Sequence, residues 1–192
     1  MKNIKTEKEK MLAGETYDCG DQELLARWHK AKALQQAYNN TLSTDSAALD
    51  SLLTDLLGSK GANVWIAAPF FVDYGEHIHI GEGVEINMNC VFLDCNKISI
   101  GNYSAIGPGV HIYTVYHPLK ASERLTPGST FWKSQTSPVS IGNNVWIGGG
   151  SVILPGVTIG DNTTIGAGSV VTKDIPANVL ALGNPCKVVR NL

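Results

Sequence analysis

An imidazole titrates near pH 6.5, which makes histidine the side chain best suited to take a proton at neutral pH. The chain has five: His29, His77, His79, His111 and His117. His29 falls on an amphipathic helical stretch, where a solvated or hydrogen-bonded side chain is the ordinary reading. His77 and His79 flank Ile78 in a strand-like run, so alternation turns both outward if Ile78 points in. His117 differs from these in context. It stands just before Pro118, where the chain opens a long non-repeating excursion between Ile112 and Ile141 that also holds Glu123, Arg124, Pro127, Gly128 and Pro138. Loop closure entropy grows slowly with length, and long loops on a rigid scaffold are where binding and catalysis concentrate. A well-placed imidazole base is worth roughly 10²–10⁴ in rate.

Cys19, Cys90, Cys95 and Cys186 show no C-x-x-C spacing, so they read as reduced thiols rather than as disulfides or a metal cluster. Lys+Arg number 15 against 17 Asp+Glu, a net charge of −2. That balance advertises no nucleic-acid or anionic-membrane footprint. The N-terminal MKNIKTEKEKM lacks an apolar core of the kind a signal peptide needs, and no apolar run is long enough to cross a bilayer. The expectation is a soluble, cytoplasmic protein.

The scaffold is written most clearly from Ile141 to Ile175. Aliphatic anchors fall at Ile141, Ile147, Ile153, Ile159, Ile165 and Val171, always six apart. Four residues after each comes a small or β-branched residue: Val145, Ser151, Val157, Thr163, Ser169 and Ile175. A period of six fits neither a helix nor a simple strand and reads as a repeat architecture. Three hexads would close one coil of a parallel β-helix, with anchors stacked at about 4.8 Å. Upstream, Ile80, Ile86, Phe92 and Ile98 keep the period, which then slips by two and resumes at Ile100, Ile106 and Ile112. A longer corner would absorb such a slip. The β-helix is expected over residues 61–186, with the excursion at 114–138 and a basic tail at 187–192.

Residues 1–60 are of a different kind. Glu7 to Ala13 reads as a short helix ended by Gly14. Asp21 can cap a longer one reaching about Tyr38, with Leu24, Leu25, Trp28, Ala31 and Leu34 on one stripe. Thr44-Asp45 can cap a third, whose Leu49, Leu52, Leu53, Leu56 and Leu57 form an apolar face. Such short helices cannot bury these faces alone, so they are expected to close an end of the solenoid, whose terminal strands otherwise leave unpaired edges.

The segments MLAGETYDC, PFFVDYGEHIHIGEGVEINMNCVFLDCNKISIG, GVHIYTVYHPL with ER following, PVSIGNNVWIGGG and PGVTIGDNTTIGAGSVVTKDIPANVLALGNPCKVVR together resemble the maltose and galactoside O-acetyltransferases, a family of hexapeptide-repeat acyltransferases. The likeness covers nearly the whole chain. PFFVDYG and FLDCN resemble the maltose branch more than the galactoside branch. The resemblance implies a left-handed parallel β-helix and a homotrimer with sites between neighbouring subunits. Handedness comes from the resemblance alone, since the general preference for right-handed crossovers points the other way.

It further implies acetyl transfer from acetyl-CoA to a sugar hydroxyl without a covalent enzyme intermediate, a permanently bound cofactor or a metal. His117 matches the catalytic base and Asn87 the residue that steadies the oxyanion and touches the acceptor. Asp18 and Asp73 match acceptor-binding positions. Cys95 stands where galactoside members carry a second acidic residue, with Asp94 just before it facing either the core or a corner. Arg27 is a further acceptor candidate. Gly149 and Ala167 match positions along the CoA arm, while Thr172, Lys173, Lys187 and Arg190 match the nucleotide end, where cations attract phosphates. Two other classes stay open. One is a zinc hydration enzyme on the same fold, using His79, His111 and His117, although the six-residue spacing of the last two fits it poorly. The other is a non-catalytic scaffold that would not bind acetyl-CoA.

Overall fold

The computed structural model describes residues 4–125 and 131–192; Pro127 and Gly128 of the excursion, and the first three residues, lie outside the described residues. Short strands stack into three parallel sheets, the faces of a left-handed β-helix of about six coils. The first face carries Ser59–Lys60, Ile78–Ile80, Ile98–Ile100, Val139–Ile141 and Thr158–Ile159. The second carries Trp65–Ile66, Glu85–Ile86, Ala105–Ile106, Trp146–Ile147, Thr164–Ile165 and Val179–Leu182. The third carries Phe70–Val72, Cys90–Leu93, His111–Tyr113, Val152–Ile153 and Val170–Val171.

The hexad anchors become vertical columns. Ile66, Ile86, Ile106, Ile147, Ile165 and Ala181 are register partners on the second face and all are buried. Each large anchor so buried contributes roughly 1.5–3 kcal/mol. Val145, Ser151, Val157, Thr163, Ser169 and Ile175, four places after the anchors of the long run, are buried as well. Small hydroxyl residues suit those corners because they can satisfy carbonyl groups there: Ser151 Oγ donates to Gly148 O at 2.7 Å and Thr163 Oγ1 to Pro176 O at 2.8 Å.

The two-residue slip has a simple origin. Ile98 and Ile100 both point inward from one three-residue strand, and so do Ile78 and Ile80. The extra residues lie in the corners at 73–77 and 94–97, between the third and first faces. The excursion leaves from the same corner one coil later. Its two limbs are joined at the base by an antiparallel pair, Val115–Tyr116 with Gln135–Thr136. Three successive coils are therefore enlarged at one place, and the candidate chemistry collects there.

The helices take the expected positions. Helix α1 (Glu7–Leu12) opens on a capping box between Thr6 and Glu9, α2 (Gln22–Asn40) on Asp21, and α3 (Ser46–Leu56) on Asp45. Helix α2 closes the open edge of the third face. Asn39 Oδ1 accepts from Phe70 N at 2.9 Å, Gln35 Oε1 accepts from Val72 N at 2.8 Å, and Asn39 Nδ2 donates to Phe70 O at 3.0 Å. Tyr38 reaches the edge of the second face by donating to Ile66 O. Backbone groups that would template aggregation are thus paired internally.

At the other end, the residues expected as a basic tail take on regular structure. Lys187–Asn191 forms a strand that runs antiparallel along Val179–Leu182. The last strand of the second face would otherwise present unpaired backbone groups, and the returning chain supplies their partners. Among the described residues, no helix is long and apolar enough to cross a membrane.

Candidate active site

The enlarged corner is held from within by Asp94, which is fully buried. Its Oδ1 accepts from the backbone N–H groups of Asp73 (3.0 Å) and Tyr74 (2.9 Å), and its Oδ2 from that of His77 (3.3 Å). This carboxylate ties one coil's long corner to the next, so Asp94 is a corner residue rather than an acceptor contact. Burial pushes its pKa up to about 6 despite the backbone donors. His77 departs from the outward placement expected of it. Ile78 does point in, but His77 is buried beside Tyr74, near the charges of Lys8 and Arg27, and its Nδ1 donates to Asp94 O at 2.7 Å. Burial holds its pKa below the usual imidazole value, so the ring is neutral there.

The N-terminal segment locks against the same corner. Asn96 Nδ2 donates to Leu12 O at 3.2 Å and to Thr136 Oγ1 at 2.9 Å, while Thr136 Oγ1 donates to Met11 O. Tyr17 pairs with Ser134 in an antiparallel bridge. Residues far apart in the chain thereby enclose one cleft.

That cleft has a volume of about 600 Å³; its walls include Tyr17, Trp28, Tyr74 and Phe131, with Cys19, His29, Asp73, Cys95 and His117 as further titratable groups. Among the expected site residues, Asp73, Cys95 and His117 are therefore brought together. Asp73 is half-buried. It accepts from Trp28 Nε1 at 3.4 Å, faces the Lys32 ammonium at 3.7 Å and lies 3.5 Å from the Cys95 thiol. Burial, with the Asp73 carboxylate beside it, pushes the Cys95 thiol up, so it stays protonated. A carboxylate on a wall of aromatic faces offers hydrogen-bond acceptors and stacking surface together.

His117 enters this wall from the excursion. Its Nδ1 lies 2.9 Å from Lys133 O. A carbonyl oxygen can only accept, so Nδ1 carries the proton and Nε2 is left with the lone pair of a base. Trp132 packs edge-on against the ring, with centroids 5.3 Å apart. Asp18 sits just outside the cleft lining and is exposed, with its Oδ1 accepting from Gly20 N at 2.8 Å. Arg27 is not in the lining: it pairs with Glu23 at 2.9 Å and Glu76 at 3.0 Å.

The other expected residues lie elsewhere on the chain. Asn87 stands at the corner between the second and third faces, where its Oδ1 accepts from Met88 N at 2.9 Å. Gly149 and Ala167 occupy the same corner on later coils. A Cβ at 149 would lie 2.9 Å from Pro108 O, so close stacking of coils is enough to require glycine there. Thr172 and Lys173 are exposed on the His117 side of the third face, while Lys187 and Arg190 are exposed on the C-terminal strand. The zinc alternative finds no shared site within the chain. His79 Nδ1 meets Ser59 Oγ at 2.9 Å, His111 Nδ1 meets the Tyr113 hydroxyl at 2.6 Å, and His117 meets Lys133. No group of three or more metal-ligating side chains occurs among the described residues.

Sequence reasoning missed Tyr17, Tyr74, Phe131 and Ser134, and it read Trp28 only as part of a helix stripe. Tyr17 and Tyr74 do lie within the distinctive wording of MLAGETYDC and PFFVDYG, the one signal that could have marked them.

Comparison with known proteins agrees with this architecture. A family model described as the maltose acetyltransferase hexapeptide capping motif matches residues 10–61, and one for the bacterial transferase hexapeptide (six repeats) matches 138–173. Nodulation protein L of Rhizobium meliloti (strain 1021) is 48% identical over 96% of this chain and 98% of that protein. The crystal structure of a maltose O-acetyltransferase from Clostridium difficile 630 is 46% identical and superposes with a TM-score of 0.93 over 99% of both chains. Galactoside acetyltransferase in complex with coenzyme A is 36% identical, with a TM-score of 0.91 over 98% of this chain and 92% of that one. With its helical cap, its six-residue coils and these relatives matched from end to end, the chain belongs to the maltose and galactoside O-acetyltransferase family of hexapeptide-repeat acetyltransferases.

Proposed function

We propose that the protein transfers acetyl from acetyl-CoA to a hydroxyl of a sugar, maltose- or glucose-like or another glycoside, with His117 as general base, in a cytoplasmic homotrimer whose sites lie between subunits. The observation that carries this reading is the contact of His117 Nδ1 with Lys133 O on the edge of the cleft. With Nδ1 donating to Lys133 O, Nε2 is the basic nitrogen on a cleft lined by aromatic rings and the Asp73 carboxylate. The galactoside acetyltransferase crystallised with coenzyme A supports the choice of acyl donor.

In this mechanism the acceptor hydroxyl gives its proton to His117 Nε2 as its oxygen attacks the thioester carbonyl carbon. The Asn87 amide of a neighbouring subunit donates to the oxyanion that forms. Collapse breaks the C–S bond, and the imidazolium returns the proton to the leaving CoA sulfur. Asp73 and Asp18 accept from sugar hydroxyls, and the Cys95 thiol borders the same space. Gly149 and Ala167 flank the pantetheine arm, and Thr172, Lys173, Lys187 and Arg190 face the nucleotide phosphates. Assembly between subunits is favoured because His117 and the corner of Asn87, Gly149 and Ala167 lie on different edges of one chain.

The test is a panel of mono- and disaccharides assayed by thiol release from acetyl-CoA. Sugar-dependent release above background hydrolysis is expected, and its absence across the panel would contradict the reading. Lys173→Ala should raise KM for acetyl-CoA about 5–10-fold and leave kcat within about twofold, since a phosphate contact binds ground state and transition state alike. An unchanged KM would remove Lys173 from the donor site.

A further inference from the structure

Arg124 has no role so far, although its side chain and backbone both bear on His117. Its Nε donates to Pro118 O at 2.8 Å and its Nη2 to Leu119 O at 2.6 Å, so one guanidinium grips the two peptides that follow the histidine. Its own carbonyl accepts from Lys133 N at 2.7 Å. Lys133 O in turn accepts from His117 Nδ1–H at 2.9 Å. The hydrogen bonds close a circuit: imidazole to Lys133, Lys133 to Arg124, and Arg124 back to the chain just after the imidazole. A stacked column runs beside it, with the Arg124 guanidinium 6.0 Å from the Trp132 ring centroid and Trp132 edge-on to His117.

The base of the excursion is pinned by the pairing of Val115–Tyr116 with Gln135–Thr136. That ladder stops short of His117 on one limb and Lys133 on the other. From there outward the two limbs approach through Lys133 N to Arg124 O and a bridge between Leu125 and Trp132. The turn after His117 would otherwise be free to swing, because Pro118 offers no N–H for a ladder and Leu119 and Lys120 are exposed. The guanidinium fork supplies the missing cross-link by reaching two carbonyls at once, which a lysine ammonium does less well.

We propose that Arg124 is the positioning residue of the reaction: by fastening the Pro118–Leu119 turn to the limb that carries Trp132 and Lys133, it fixes where His117 Nε2 points. The inference rests on His117 being the base. Misplacing a catalytic group by about 1 Å costs on the order of 10²-fold in rate, whereas substrate binding at a groove on another corner is untouched. Arg124 is only half-buried and touches the excursion rather than the coils, so its removal should leave folding intact.

The experiment compares kcat and KM for Arg124→Ala, Arg124→Lys and His117→Ala, using acetyl-CoA and whichever sugar the panel identifies. For Arg124→Ala the expected result is a kcat lowered about 10–100-fold with KM for acetyl-CoA within twofold and the thermal midpoint unmoved. Arg124→Lys should fall between Ala and wild type, and added guanidinium chloride at low concentration should recover part of the kcat of Arg124→Ala and none of that of His117→Ala. A wild-type kcat in Arg124→Ala, a loss confined to KM, or a kcat deficit that neither lysine nor guanidinium relieves would overturn the proposal. If His117→Ala itself retains wild-type kcat, the base assignment fails and Arg124 falls with it. An inactive His117→Ala beside a fully active Arg124→Ala rejects Arg124 alone.

Discussion

Replacing His117 with alanine should lower kcat by about 10²–10⁴-fold while KM for acetyl-CoA stays within twofold. An alcohol is a weak nucleophile at neutral pH, and its proton must leave as the oxygen bonds to the thioester carbon. Within the cleft, His117 is placed for this because its Nδ1–H donates to Lys133 O, which leaves the lone pair on Nε2. Asp73 is engaged with Lys32, Trp28 and Cys95, and the Cys95 thiol is held protonated by burial and by Asp73. Neither offers a substitute base, which leaves His29 of α2 as the other imidazole on the lining. His117 is exposed and sits on the excursion rather than in the coils, so the variant should fold as the wild type does. Steady-state kinetics with thiol release as readout checks this, and a wild-type kcat would show that the proton goes elsewhere.

Replacing Asp94 with leucine should have the largest effect on stability, about 3–5 kcal/mol. Two buried backbone N–H groups, those of Tyr74 and His77, and the part-buried one of Asp73 would lose their acceptors, at roughly 1–3 kcal/mol each before relaxation. The loss would also reach the site, since Asp73 and Tyr74 line the cleft. Asp94→Asn is the milder probe and gives the sign of a pH dependence. With its pKa pushed up to about 6 by burial, against about 3.9 in the unfolded chain, Asp94 binds more protons folded than unfolded between those values. Its contribution is therefore fully present below about pH 4 and is lost as pH rises through 6. Urea midpoints at fixed protein concentration should show a wild-type advantage over Asp94→Asn that is larger at pH 4.5 than at pH 7.5. An advantage that grows with pH would contradict the burial of this carboxyl.

The coils were legible because their physics repeats. One anchor every six residues, small residues at corners and glycines where coils touch are each needed many times over, so Ile141 to Val171 gives the architecture away. The helix starts were legible for a local reason, as Asp21 and Asp45 each cap the first turn of the adjoining helix. The cleft was not, because its walls are non-local. Tyr17 meets Ser134 across the excursion, and Trp28 reaches Asp73 from another element. Nothing in the spacing of such residues announces the meeting. His77 misled for a related reason: alternation says which way a side chain leaves the strand, but not whether it will be buried there. The closing strand Lys187–Asn191 also escaped notice, since KVVRN has no hexad and its partner is set by an edge left open elsewhere.

The central claim is that base and donor groove come from different copies of the chain, and subunit complementation tests it most directly. His117→Ala removes the base, and Ala167→Trp, at an exposed corner position, fills the groove. Each variant alone should be nearly inactive. Co-expressed and purified together, they should recover about a quarter of wild-type activity, because in a randomly mixed cyclic trimer an intact base meets an intact groove at that share of interfaces. Activity of the mixture no greater than that of either variant alone would contradict the account.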